Sequence, residues 1–463
     1  MKNLSFNIRY LLTIFIFFLF LYANQAQSLL FTVLDTSGLQ FSQGQVSIYE
    51  KLMDETQYSV LQVVQFNSLG DIQQNGSLRV YIPENICDTA VFKATNVEYN
   101  DSDNFIWYGY MVPNDSSDCL DGNLLLGSDS GQIFGSMRVG NKLYTFEDLG
   151  DGLRVLAEAP GHEVVGCGAT DLGEPEAPPA IVERTNDCDI RVLTLYTDAV
   201  ANNVANPMTL ALNALAKTNQ ILKNSGLGSS YIHFVNAGIE QFSGLSESGQ
   251  KFTDIWVSLS ASTGVQARRS ATNADIVVLL VHPPIMQQTS VAGLAIQGLA
   301  GANGAFAVVR ARGSDNGIVY AHEIAHILGA RHERCSAEDA GQGTGECDDD
   351  PSPGHAHTWS YTSGGKTIKR KTVMFYAAAG NPEIINYYSN YQVKFEGRPT
   401  GIQNVASNAL VLLTNACTVA NYWSADQSLS AHIEGPAYGC VDNAEAFAAV
   451  TGGARPIFIS MVR

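Results

Sequence analysis

An α/β (α+β) fold is predicted for residues 188–424, behind a β-rich N-terminal region, and three observations predict it. The first is alternation. Apolar strand-like runs "IRVLTLYT" (190–197), "YIHFV" (231–235) and "DIVVLLV" (275–281) are separated by stretches whose apolar residues recur at helical spacing. Strands alternating with helices imply a mostly parallel sheet flanked by helices. The second is a change of texture at "DLGEPEAPPAIVERTND" (171–187), where glycine, proline and glutamate mark an exposed linker. The third is "AHEIAHILGARHERC" (321–335), which sets three histidines and a glutamate in one mostly apolar stretch.

The chain opens with Lys2 and Arg9 ahead of an apolar run from about Tyr10 to Ala23, followed by small or polar residues. This pattern predicts a signal peptide over residues 1–26, and the run falls short of the ~20 residues that span a bilayer. No later segment is apolar for long enough, so the mature chain is expected to be secreted, extracellular and without a membrane span. A length of 463 residues allows about three domains. Hydrophobic content of 45% and charged content of 16% fit an ordinary globular protein. The formal net charge of −18 argues against nucleic acid as a partner, for which a basic face would be needed.

Eight cysteines in an exported chain suggest disulfides. Cys87 with Cys119 and Cys335 with Cys347 are local candidates, and Cys188 with Cys417 would tie the start of one domain to its end. Cys167 and Cys440 are left over.

Each element has its own signal. Within the N-terminal region "FIWYGYMV" (105–112) reads as a strand, and two more flank a Gly140-Asn141 turn. Past the linker and the first strand, Met208, Leu212, Leu215 and Leu222 form a helical stripe that Gly226 stops. Phe252, Ile255, Trp256 and Leu259 form a second. Two shorter apolar runs, "VAGLAIQG" (291–298) and "AFAVVRA" (305–311), precede the histidine stretch. Residues 425–463 alternate like the first strands of a β-sandwich and are too few to bury a core alone.

His322 and His326 stand four apart, so on a helix both imidazoles leave one face and can hold one ion. Gly329 permits a positive φ that ends the helix sharply and returns His332 as a third ligand. Three neutral histidines leave zinc a free position for water, as in catalytic rather than structural sites. Glu323 points toward the same cleft without being a ligand. About forty residues on, "TVMFYAAAG" (372–380) brings Met374, an apolar residue suited to pack beneath the ion. An amphipathic helix with incidental histidines is the bland alternative.

The spacing HExxHxxGxxH followed by a methionine turn is the known signature of the metzincins. The chain resembles these zinc metallopeptidases, and within them the reprolysin (adamalysin)-like branch and its bacterial secreted relatives, over about residues 188–424. The resemblance implies a catalytic domain with a twisted mixed sheet, an active-site helix and a Met-turn at Met374. It implies that "VAGLAIQG", with Gly293, Leu294 and Ala295, is the antiparallel edge strand along which protein or peptide substrates lie. An unpaired strand edge suits an extended peptide physically. It implies one catalytic Zn2+ held by His322, His326 and His332, with Glu323 as the general base. Two residues depart from the reprolysin pattern. Glu333 stands where reprolysins carry aspartate, and Tyr376 looks like the astacin and serralysin tyrosine that ligates zinc or steadies the oxyanion; packing roles are the alternatives. "VVGCGATD" (164–171) resembles the reprolysin propeptide switch, so Cys167 either closes the metal's free position or forms a disulfide. The resemblance thus makes residues 27–170 a β-rich propeptide, 171–187 its linker, 188–424 the catalytic domain and 425–463 a partial further module.

The function implied is a secreted zinc endopeptidase synthesised as a latent zymogen. A non-catalytic extracellular binding or adhesion protein that uses the fold structurally is the alternative, and a zinc hydrolase acting on non-peptide substrates is a second. His355 and His357 could form another metal site, with a loop or strand before Met374 preferred. Asp348–Asp350 could hold Ca2+, with a solvated loop preferred.

Overall fold

The computed structural model describes residues 29–54, 58, 61–67, 76–83, 89–101, 103–112, 122–140, 142–159, 166–167, 188–228, 231–282, 286, 291–296, 301–311, 316–334, 352–375 and 382–423, with three backbone strands beyond. Two compact units divide the chain, 1–161 and 162–463.

The first unit is a nine-stranded sheet built from β1 (Phe31–Val33), β2 (Leu61–Phe66), β3 (Ser77–Tyr81), β4 (Thr89–Asp101), β5 (Asn104–Met111), β6 (Gly122–Asp129), β7 (Gln132–Val139), β8 (Lys142–Gly150) and β9 (Leu153–Ala159). Their order is β1-β2-β9-β8-β7-β6-β5-β4-β3, and neighbouring strands pair antiparallel. The expected strand at 105–112 is β5, and the expected hairpin is β7–β8, with Gly140 at φ +56 in its turn. Trp107, Leu124, Leu126, Met137, Tyr144, Phe146 and Leu156 fill the core, mostly from alternate positions along their strands. One helix, α1 (Gln43–Asp54), was not expected from the sequence.

The second unit holds the mixed sheet: β10 (Gly166–Cys167), β11 (Cys188–Tyr196), β12 (Ile232–Gln241), β13 (Ile276–Val281), β14 (Val291–Ala295) and β15 (Phe306–Arg310), in the order β10-β14-β15-β13-β11-β12. β12, β11, β13 and β15 are parallel, and β14 runs antiparallel to β15. Every residue of β13 is buried, as a central parallel strand covered on both faces requires. Those faces are covered by α2 (Asp198–Asn203), α3 (Pro207–Asn224), α4 (Phe252–Ala261), α5 (Thr263–Thr272), α6 (Asn316–Ile327) and α7 (Asn408–Val419).

Local chemistry fixes the helix ends. The Asn206 side chain accepts from the Thr209 N–H at 3.1 Å, Pro207 opens α3, and Gly226 at φ +77 follows its end. Leu212, Leu215 and Leu222 are buried as their spacing predicted, whereas Met208, in the first turn, is 38% exposed. On α4, Phe252, Ile255 and Leu259 are buried, and Trp256 Nε1–H donates to the Phe306 carbonyl at 2.8 Å.

Cys188 and Cys417 form a disulfide, as the sequence suggested, and it joins the start of β11 to α7 across 229 positions. A closure of that length stabilises by roughly 5 kcal/mol in the loop-entropy account. A second fastening lies close by. The Arg269 guanidinium is buried, donates to the carbonyls of Ala274, Ala302 and Asp275, and lies over the rings of Phe306 and Trp423. Trp423 N–H in turn donates to Asp275 at 3.1 Å.

After α6 the chain forms a hairpin of β16 (Thr358–Ser363) and β17 (Lys366–Lys371), and β18 (Glu383–Ile384) adds parallel to β17. Strands Ser430–Glu434, Ala446–Thr451 and Ile457–Met461 form a separate antiparallel sheet. Among the described residues no helix is long and apolar enough to cross a membrane.

Candidate active site

The site begins with the way α6 ends. Gly329 N–H donates to the His326 carbonyl at 2.8 Å and Ala330 N–H to the Ala325 carbonyl at 2.9 Å, the paired bonds of a Schellman turn. That turn needs a left-handed residue after the last helical turn, and Gly329 has φ +93. The chain therefore reverses within three residues and brings His332 back alongside His322 and His326.

The three Nε2 atoms stand 3.0 Å from one another in each pair, and all three side chains are buried. Among the described residues this is the sole group of three or more metal-ligating side chains. The far sides of two rings fix their tautomers. His322 Nδ1–H donates to the Val373 carbonyl at 3.0 Å and His326 Nδ1–H to the Ala330 carbonyl at 2.8 Å. A carbonyl only accepts, so those protons sit on Nδ1 and the Nε2 lone pairs point inward.

Burial, joined by the Lys371 charge, pushes His322 down to about 4, and burial with the neighbouring imidazoles pushes His326 well below the usual histidine range. Both rings are therefore neutral at pH 7, the form that binds a metal. Three lone pairs directed at one point repel one another unless a cation lies there. With Nε2 atoms 3.0 Å apart, a point at the ~2.0–2.1 Å zinc–nitrogen distance from all three exists about 1 Å off their plane. The donor set fits zinc.

Glu323, next to His322, is almost wholly buried, and its carboxyl end packs against Gly293 of β14. Leu294 and Ala295 follow in the same strand, antiparallel to β15 as expected. The outer edge of β14 carries β10 in parallel register, with Gly166 opposite Val291 and Cys167 opposite Gly293. Met374 is fully buried in the core directly after Val373, whose carbonyl holds His322. Tyr376, Cys335, Cys347 and Asp348–Asp350 lie outside the described residues. Glu333 bridges to Ala356 through its backbone.

His355 and His357, weighed for a second metal, and two further histidines have the following surroundings. His355 is fully buried, and its Nδ1–H donates to the His332 carbonyl at 2.9 Å. His357 stacks on Trp359 at 5.5 Å. His233 faces Asp189 at 3.4 Å, and the His282 backbone N–H donates to Glu247.

Sequence reasoning missed the residues that hold the His332 segment. Asn408, fully buried at the start of α7, donates through Nδ2 to the carbonyls of Arg331, at 3.0 Å, and Gly354, at 2.6 Å. The Ser389 hydroxyl meets Asn408 Oδ1 and the His355 carbonyl, and Asn408 N–H donates back to it. Tyr388 supports α6 from below, its hydroxyl donating to the Ala321 carbonyl at 2.9 Å. Replacing Asn408 by alanine removes both Nδ2 donors and loosens the segment that carries His332. Zinc affinity is expected to fall about 10- to 100-fold, the usual effect of losing a group that orients a ligand, as read by competition with a coloured chelator.

Known proteins resemble the chain over much of its length. The family model described as metallo-peptidase family M12 matches residues 184–388. A peptidyl-Asp metalloendopeptidase of Stenotrophomonas maltophilia (strain R551-3) is 30% identical over 343 residues, 68% of this chain and 76% of that protein. One of Xanthomonas campestris pv. campestris is 26% identical over 340 residues, 68% of this chain and 75% of that protein. Among solved structures, metalloproteinase-II from Bacteroides fragilis aligns with a TM-score of 0.36 at 15% identity, over 57% of this chain and 84% of that one. The chain belongs to metallopeptidase family M12 and is a metzincin-type zinc metalloendopeptidase.

Proposed function

We propose that the protein is a secreted endopeptidase made as a latent precursor, which hydrolyses extended polypeptides laid along β14. The observation that carries this reading is the convergence of three imidazole Nε2 atoms at 3.0 Å, with the buried Glu323 carboxyl between α6 and the strand at Gly293.

His322, His326 and His332 would hold the ion. Bound zinc supplies a water of lowered pKa and polarises a carbonyl. Glu323 takes the proton from the attacking water and delivers it to the leaving amine. The strand edge aligns the substrate backbone through main-chain hydrogen bonds, so that little orientation remains to be found in the transition state. The relatives' names motivate a preference for bonds beside aspartate in this chain too.

Latency is supported by the register of β10, which occupies the edge that an extended substrate would use and sets Cys167 opposite Gly293. In this reading residues 1–26 are removed on export, 27–170 form the propeptide, 171–187 are cut on activation, and the Cys167 thiolate closes the metal's free position until then.

One experiment tests the reading. The purified full chain should release few peptides from casein until its linker is nicked by trypsin, whereas Cys167→Ala should be active without nicking. A chelator should abolish the activity and zinc restore it, and the cleaved bonds should cluster at aspartate. Chelator-insensitive hydrolysis would remove the zinc mechanism. Full activity in the unprocessed chain would remove the latency.

A further inference from the structure

We infer that Gly293 is a positioning residue for the reaction: its missing β-carbon is the space in which the Glu323 carboxylate sits. The inference rests on reading Glu323 as the base.

A β-carbon added at Gly293 would lie 2.5 Å from Glu323 Oε1, 2.6 Å from its Cγ and 2.8 Å from its Cδ. All three are well inside carbon van der Waals contact, which is best near 3.5–4.0 Å. Glycine is not needed there for the backbone, because Gly293 is not among the residues with positive φ. Gly329 is the contrast, needing glycine for its φ of +93. At Gly293 the requirement is room.

What would yield to a methyl group decides the consequence. Gly293 is paired with Val309 in the sheet, and its neighbours Ala292, Leu294 and Ala295 are buried. The strand is therefore held from both sides. The atoms met are Cγ, Cδ and Oε1 of one side chain, which can swing about its own torsions. The fold should survive, and the displaced group is the proposed base. Gly293 is also the register partner of Cys167.

The test is Gly293→Ala in the full chain, alone and combined with Glu323→Ala. Activity is read after the linker is nicked, and zinc content and Tm are read on the intact chain. The single variant should keep its zinc and its KM while kcat falls about 100-fold, the effect of misplacing a reacting group by about 1 Å. It should also lower Tm, and that loss should vanish in the Glu323→Ala background, where the methyl group has room. Should Gly293→Ala fail to fold, recovery of the folded double variant would support the same contact. A kcat within about twofold of wild type would overturn the inference. So would an equal Tm loss in both backgrounds, since the methyl group would then act on the backbone. Turnover retained by Glu323→Ala alone would instead sink the base assignment, and the melting cycle would still decide whether Gly293 seats the carboxylate.

Discussion

Replacing Glu323 by alanine is expected to lower kcat for peptide hydrolysis by about 100- to 10,000-fold, the contribution of a positioned general acid–base group, while the chain keeps its zinc. The two halves of this expectation come from different parts of the site. The three Nε2 atoms are set by the helix face, by the Schellman turn at Gly329, and by the Val373 and Ala330 carbonyls that hold the far nitrogens of His322 and His326. The far nitrogens of His322 and His326 are held by backbone carbonyls, which the substitution leaves unchanged, so the ion's cradle should survive it. What goes is the proposed proton acceptor. With the substrate backbone held along β14, as proposed above, and not by Glu323, KM should change little and the loss should fall on kcat.

Glu323→Gln sharpens the test because it keeps the shape against Gly293 and cannot accept the proton as a base. It should be about as inactive as the alanine variant. Metal analysis with casein or peptide turnover measures both halves, and activity within about tenfold of wild type would remove the residue from the chemistry.

How much of this was legible in the sequence depends on how far apart the cooperating residues lie. His322 and His326 are one helical turn apart, so their shared face follows from the period of the helix, and Gly329 announced the turn that its φ of +93 performs. The Cys188–Cys417 disulfide was readable because its cysteines flank the expected catalytic domain. Apolar spacing gave the buried faces of α3 and α4, apart from Met208, which the first turn of α3 leaves at 38% exposure.

Other features left no local trace. Asn408 reaches the His332 segment across 77 positions to Arg331, and an asparagine at a helix start gives no sign of carbonyls that far back in the chain. β10 is two residues long, too short for any period, yet its register sets Cys167 opposite Gly293. From the sequence Gly293 is only part of the expected edge strand along which substrate would lie, with no link to Glu323. Only the packing of α6 on β14 shows that the space matters. His355 was weighed as a metal ligand from its place beside His357, whereas its ring is spent on the His332 carbonyl. Spacing shows which residues can meet within one element; it does not show which carbonyls arrive from elsewhere.

Replacing His326 by alanine should abolish both zinc binding and hydrolysis, and the stability readout makes this variant decisive. His326 is one corner of the cluster, with Nε2 3.0 Å from both other Nε2 atoms and Nδ1–H on the Ala330 carbonyl. Two consequences must be separated. The metal-free variant loses the bond to the turn that ends α6, leaving a buried carbonyl less well satisfied, which costs about 1–3 kcal/mol whether or not zinc is present. The second loss appears only with zinc. Binding to the native state alone stabilises by about 2.7 kcal/mol when free zinc is 100 times Kd, or roughly 5–10 °C in Tm for a domain of this size. Wild type should therefore melt higher by that amount when zinc is added to the chelated protein. His326→Ala should show almost no zinc-dependent rise, on top of a lower metal-free Tm. Acidification should erase the wild-type increment, because protons compete for the Nε2 lone pairs; burial holds His322 at about 4, so that ring surrenders its lone pair only well below the usual histidine range. A His326→Ala chain that still bound one zinc and kept the full zinc-dependent rise would place the ion on other ligands, and the mechanism built on this helix would fail with it.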